Sequence, residues 1–324
     1  MNLLSSMRYL VALNEHRHFA RAAQACHITQ PALSNAIKAL EDEFGAVIVR
    51  RGRVFEGLTP EGEQVLATAL SMLKAEEALR QDLSVGAGKL TGKLRMAAVP
   101  TAMPMLTRFA ALLRARHPGI TPMVLSMSSL EIESGLEDLS LDLALGYGDR
   151  MALTARTCRT ERAEHMTPAR ATRVMVWPQY QEHYFLLSPA GTSASHKPVT
   201  WAQAARLPLC LLTPDMHNRQ IVDESFAAAG CAVTAAMETN SVLSLMQAVS
   251  DGGLHSVLPG ALVATLSESA RLSVRPLRSP QAQTSIAFMA PPQEAGTRAQ
   301  QAAIELMQSD EWRDQCTRFA GAVR

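Results

Sequence analysis

The chain has 324 residues, 47% of them apolar and 19% charged, with a formal net charge of +1. That length calls for more than one domain, and the apolar content rules out a disordered chain. A charge so near zero is no nucleic-acid signature over the whole molecule, so any polyanion binding must depend on where the basic residues sit.

Met1 leads directly into a helix bearing Arg8, so no signal peptide is expected, and no apolar run is long enough to span a bilayer. The five cysteines (26, 158, 210, 231, 316) are scattered, with no CxxC or metal-ligand spacing, which suits a reducing cytoplasm.

Phe19-Ala20-Arg21-Ala22-Ala23 reads as a short helix, followed by a tight turn and a second helix opening on Thr29-Gln30-Pro31. Thr29 suits an N-cap, and Pro31 is tolerated in a first turn, where amides lack helical partners. Leu33, Ile37 and Leu40 mark one buried stripe. Gln30, Ser34, Asn35 and Lys38 occupy the opposite face, with side chains able to bond base edges or phosphates. An ordinary surface helix hairpin is the alternative. Val47–Val49, then Arg50, Arg51 and Arg53, then Val54–Leu58 read as a hairpin with a basic tip, which favours a DNA-backbone wing over a solvated loop. Residues 1–60 hold seven Lys or Arg against five Asp or Glu, so the surplus is small and its placement decides.

Residues 1 to about 62 resemble the winged helix-turn-helix of the LysR-type transcriptional regulators. Phe19, Ala22, Ala23, Gln30, Pro31, Ala32, Leu33, Ser34, Ile37, Leu40, Glu41, Gly45, Leu58, Thr59 and Gly62 carry the resemblance. Asn35 stands where many relatives carry a basic residue, and Val49-Arg50-Arg51 replaces the commoner Phe-Glu-Arg. The resemblance implies promoter DNA contacts through Thr29, Gln30, Pro31, Ser34, Asn35, Lys38, Arg50, Arg51 and Arg53.

Residues 60–85 read as one long helix with Val65, Ala69, Met72 and Leu79 on a stripe and Leu66, Leu70 and Leu73 beside it. So broad an apolar face needs a partner. The resemblance implies pairing with a second copy, assembly to a homotetramer and contact with RNA polymerase; packing on its own domain is the alternative. Gly86-Ala87-Gly88-Lys89 fails as a phosphate loop, since Leu83 and Leu90 stand where Gly and Ser or Thr are needed. Residues 86–92 read as a hinge.

From residue 93 strands and helices alternate: a strand at 94–99, a helix at 102–116, a strand near 123–126, a helix from about 130 and a strand at 141–145. This order implies a parallel sheet, without a GxGxxG loop for a dinucleotide. A second set follows: strands at 184–187, 209–213, 232–237 and 254–258, with helices at 218–229 and 241–251. Strands near 272–277 and 284–289 are expected to return to the first lobe before a helix from about Arg298. The fold class is therefore α/β with an N-terminal α-rich winged helix-turn-helix. Its domains are 1–59, the linker 60–85, the hinge 86–92 and a two-lobed domain 93–324, with lobe I at about 93–150 and 268–324 and lobe II at about 180–267.

This half resembles the LysR-type effector domain, itself similar to periplasmic solute-binding proteins, on Leu94-Arg95-Met96, Leu141–Ala144, Arg219 with Asp223 and Phe226, and Val249 to Pro259. The resemblance implies an effector held by Thr101, Ser128, Ser129, His217, Asn218, Ser241 and Val242. Hydroxyls and amides at helix starts favour a small carboxylate, although Ser, Thr and Asn also serve as plain N-caps. The arginine-rich stretch 150–173 reads as a solvated loop, with a lid or subunit contact as alternatives. Cys158 within it has surroundings that lower a thiol pKa, but no resolving cysteine is evident.

No GxSxG or HExxH motif occurs, no metal site or cofactor is expected, and the chain reads as a regulator rather than an enzyme. The competing reading is a small-molecule binding protein or enzyme whose N-terminal helices mediate oligomerisation.

Overall fold

The computed structural model describes residues 2–51, 55–83, 90–148, 174–191, 197–265, 272–291 and 296–321. Arg53, most of the expected hinge and the arginine-rich stretch with Cys158 lie outside the described residues. The chain divides into two compact units, the first running to Leu90 and the second holding nearly everything after it.

The first unit opens with α1 (Leu3–His16), α2 (Phe19–Ala25) and α3 (Gln30–Phe44). The Thr29 hydroxyl accepts from the Ala32 amide at 3.3 Å, so the expected N-cap sets the start of α3. Leu33, Ile37 and Leu40 are fully buried with Leu10 and Leu13 of α1, each worth about 1.5–3 kcal/mol of apolar burial. Gly45 ends α3 at φ +61°, a left-handed conformation that glycine adopts without strain.

The short strands β1 (Val49–Arg51) and β2 (Phe55–Leu58) pair antiparallel as the expected hairpin. Next comes α4 (Pro60–Leu83), whose first-turn Gly62 amide donates to the Thr59 hydroxyl at 2.9 Å. A β-carbon on Gly62 would lie 2.1 Å from the Ile48 carbonyl oxygen, so the close approach of helix and hairpin requires glycine.

The apolar stripe of α4 divides. Leu66 and Ala69 are buried in the core of their own unit, with Val65 and Leu70 packed beside them. Met72, Leu79 and Leu83 are exposed further along.

The second unit is α/β. A first set comprises β3 (Gly92–Ala98), a single turn at Pro100–Ala102, α5 (Met103–Arg116), β4 (Ile120–Ser126), α6 (Ser129–Glu137) and β5 (Leu143–Tyr147). β4, β3 and β5 run parallel, as the alternating pattern implies. The long strand β6 (Met175–Pro189) then crosses the unit.

A second set follows: β7 (Val199–Thr200), α7 (Trp201–Ala204), β8 (Cys210–Leu212), α8 (His217–Ala228), β9 (Met237–Thr239), α9 (Val242–Ser250), β10 (Ser256–Pro259) and α10 (Gly260–Val263). The chain closes with β11 (Leu272–Arg278), β12 (Gln283–Ala290), α11 (Arg298–Met307) and α12 (Asp310–Phe319). Among the described residues the main sheet runs β4-β3-β5-β12-β6-β11-β7, with β10 also on β6.

β6 joins the two lobes. Residues 175–183 pair with β12 in the first lobe, and Tyr184–Pro189 pair with β10 and β11 in the second. The sequence reading marks only 184–187 as strand, and the missed half of β6 contains Pro178, a residue type that central strands disfavour. Opposite it, Ile286 faces Tyr180 and Ala287 faces Pro178, so Gln179 is an extra residue and the proline sits at a bulge. The Gln179 side chain accepts from the Trp312 indole at 2.7 Å and donates to the Trp177 carbonyl.

The expectation that residues 272–277 return to the first lobe fails. β11 pairs with the second-lobe half of β6 and with β7, and β12 alone returns. The expected strand at 232–237 is displaced to Met237–Thr239. Phe109, Phe288 and Trp312 form the aromatic centre of the first lobe, and Trp201, Phe226 and Tyr184 that of the second. No helix among the described residues is long and apolar enough to cross a membrane.

Candidate functional site

Two surfaces gather the candidate residues. On the first unit, Thr29, Gln30, Pro31, Asn35 and Lys38 are exposed along α3 and Ser34 is half-buried, while the opposite stripe is fully buried. Arg50 is exposed on β1; Arg51 lies in the same strand, where the structure describes its backbone only.

Helix and wing are tied by a residue that the sequence reading names only as part of the family pattern. Glu41, on α3, accepts from the backbone amides of Ile48 and Val49 at 3.0 and 3.1 Å. A carboxylate accepting two amides is a charge-assisted contact that fixes the hairpin against the helix. The arrangement places a polar helix face beside a basic hairpin, a geometry suited to major-groove reading with backbone support.

In the second unit, Thr101, Ser128, Ser129, His217 and Asn218 line one small cavity of about 30 Å³ with Val99, Pro100, Tyr147 and Met216. They come from the strand ends and helix starts of both lobes, where open α/β sheets bind ligands. Ser241 and Val242 are elsewhere, in a larger cavity of about 870 Å³ that shares Pro100.

The small cavity is crossed by hydrogen bonds. The Asn218 amide donates to the Tyr147 and Tyr184 hydroxyls, at 3.2 Å each. Thr101 Oγ1 lies 3.1 Å from the Tyr147 hydroxyl, and the His217 ring packs edge-on against Tyr147 with centroids 4.6 Å apart. Ser128 caps α6 reciprocally with Glu131: its hydroxyl accepts the Glu131 amide while its own amide donates to the Glu131 carboxylate. Ser129 Oγ is buried without a partner.

Charge near the cavity is scarce. Arg219 follows Asn218, but its guanidinium is consumed by Asp223, Glu238 and the Leu212 carbonyl, so it is a structural clamp. Glu182 is fully buried on β6 with neither carboxylate oxygen hydrogen-bonded, and burial pushes its pKa up to about 8. Burial and the neighbouring Glu182 likewise raise Tyr147, Tyr180 and Tyr184 above the usual phenol range, so these hydroxyls stay neutral.

Sequence reasoning missed Tyr147, Glu182 and Tyr184. Tyr147 ends a parallel strand at a cleft, and that position is the signal by which it could be found. Burial raises the thiols of Cys26, Cys210 and Cys316, the last to about 12. Among the described residues no cysteine lines either cavity, and no acid, His or Cys cluster could hold a metal.

Known proteins share this organisation. The family model of the bacterial regulatory helix-turn-helix protein, lysR family, matches residues 4–63, and that of the LysR substrate binding domain matches residues 87–311. A hydrogen peroxide-inducible genes activator of Haemophilus influenzae is 27% identical over 297 residues, covering 88% of this chain and 89% of that protein. A probable HTH-type transcriptional regulator, LrrA, of Synechococcus elongatus is 26% identical over 257 residues, covering 79% and 80%.

Among solved structures, a full-length OxyR variant from Pseudomonas aeruginosa matches with a TM-score of 0.70 at 25% identity over 99% of both chains. CbnR, a LysR family transcriptional regulator, matches in fold with a TM-score of 0.63 at 16% identity, over 94% of this chain and 98% of that one. With family models matching residues 4–63 and 87–311, the protein belongs to the LysR family: it is a DNA-binding transcriptional regulator with an effector domain.

Proposed function

We propose that the regulator reads promoter DNA with Thr29, Gln30, Pro31, Ser34, Asn35 and Lys38 on α3, supported by Arg50, Arg51 and Arg53 of the wing. Its effector enters between the lobes at Thr101, Ser129, His217 and Asn218, with Ser128 shaping the start of α6. The observation that carries this reading is the hydrogen-bonded Thr101–Tyr147–Asn218 set, which links both lobes across a cavity with room for about one water molecule. Any larger ligand must part the lobes and replace those bonds, which is the differential contact that a switch requires.

The effector is a small organic acid. No Lys or Arg lines this cavity, so the charge is met by the N-termini of α6 and α8 together with the Ser129 hydroxyl, which has no partner of its own. Peroxide sensing, which the printed names of some relatives describe, calls for a reactive thiol. Of the four described cysteines, burial raises Cys26, Cys210 and Cys316, which makes them poor nucleophiles, and Cys231 lines neither cavity.

Met72, Leu79 and Leu83 of α4 supply the apolar face for pairing with a second copy, and two such pairs form a tetramer. Recruitment of RNA polymerase is the accompanying output. The domains of this account are the reader 1–59, the linker 60–85 and the two-lobed sensor from 93 onward.

A thermal-shift screen of small organic acids on the full chain tests the effector reading. A true ligand raises the unfolding temperature by mass action, and Thr101→Val reduces that rise. If no acid shifts the parent, or if every shift survives in Thr101→Val, the assignment fails.

A further inference from the structure

The larger cavity carries a chemistry of its own. Its walls are mainly apolar, from Met103 and Pro104 of α5 to Val242 of α9 and Leu262 of α10. It is an open groove of about 870 Å³, large enough to seat a drug-sized ligand against one face.

One charged side chain lines it. Arg108 of α5 is half-buried, and its guanidinium carbon stands 3.6 Å from the centroid of the Phe319 ring. Stacking on an aromatic face orients a guanidinium without neutralising it. No carboxylate among the described residues pairs with Arg108, whereas Arg219 of the same unit is doubly paired. A fixed, uncompensated cation within an apolar wall selects an anion attached to an apolar body.

We propose that this cavity is a second ligand site, distinct from the small interlobe cavity, for an amphipathic monocarboxylate with an aliphatic or aromatic body. Its carboxylate pairs with Arg108 and its body lies against Met103, Pro104, Val242 and Leu262. The walls come from α5 of the first lobe and from α9 and α10 of the second, so an occupant bridges the lobes, and Pro100 is shared with the smaller cavity. The two sites then bias the same lobe arrangement, which gives the regulator two chemical inputs.

Isothermal titration calorimetry of the full-length protein with octanoate tests this. Octanoate is expected to bind saturably, and 1-octanol, which has the same body without the charge, to bind about ten-fold more weakly or worse. Arg108→Gln is expected to lower octanoate affinity about ten-fold, the loss of one charge-assisted contact. Ala111→Trp, at an exposed position of α5 one turn from Arg108, is expected to weaken binding by crowding the carboxylate end of the groove. Circular dichroism verifies that each variant is folded. Undiminished affinity in folded Arg108→Gln and Ala111→Trp, or no binding by the parent at millimolar octanoate, overturns the proposal.

Discussion

The side-chain amide of Asn218, at the start of α8, donates to the Tyr147 hydroxyl at the end of β5, 3.2 Å away and across the boundary between the two lobes. The same amide donates to Tyr184 on the crossover strand. Asn218→Leu leaves both tyrosine hydroxyls without this donor in a buried site, and should cost about 1–3 kcal/mol. Urea unfolding followed by tryptophan fluorescence measures it; a change below a few tenths of a kcal/mol would show that the lobe tie contributes nothing.

Glu182 makes stability depend on pH. Its pKa rises by burial from an ordinary 4.5 to about 8, so between these values the folded chain holds a proton that the unfolded chain releases. The stabilisation from this difference is full below the unfolded value and is lost as pH rises through the folded value. Glu182→Gln removes the titration. Relative to the parent, the variant should therefore gain stability from pH 5 to about pH 8 and level off above it, and parallel stability curves would refute the assignment.

Glu41 holds the wing through the Ile48 and Val49 amides. Glu41→Ala removes that acceptor from two part-buried donors and should cost about 1–3 kcal/mol, with DNA binding weakened as the hairpin loosens. Glu41→Gln keeps an acceptor oxygen and should lose less. Equal losses in the two variants, by thermal unfolding and by DNA titration, would mean that the negative charge and not the hydrogen bonds holds the wing.

Asn35 and Lys38 are both exposed on α3, yet their substitutions should differ in kind. Lys38→Ala should weaken binding to all duplexes and reduce the slope of log K against log salt by about 1. Asn35→Ala should cost about 1–3 kcal/mol on the preferred duplex and little on others. Competition titrations at several salt concentrations separate the two.

The reading helix was the most legible part of the chain, because its signals are local: a Thr29 cap, a first-turn Pro31, and Leu33, Ile37 and Leu40 at helical spacing. Strand partners were less legible. Alternation in Leu272–Arg278 identifies a strand but does not say which lobe it joins, and the missed half of β6 contains Pro178, which a bulge excuses only when the opposite strand is known. Thr101, Ser128, Ser129, His217 and Asn218 came forward through the family resemblance, which puts ligand positions at helix starts. Tyr147 and Glu182 did not, since what distinguishes them is burial among residues distant in sequence.

The central assignment is that the exposed face of α3 reads sequence. Fluorescence anisotropy of the full-length protein tests it, using duplexes from upstream of its own gene and a scrambled duplex of equal length, across a salt series. The account predicts a salt-sensitive preference for the upstream duplex that Ser34→Ala with Asn35→Ala abolishes, while weaker binding to the scrambled duplex persists. An upstream preference unchanged in that double variant, or equal affinity of the parent protein for both duplexes, would contradict it.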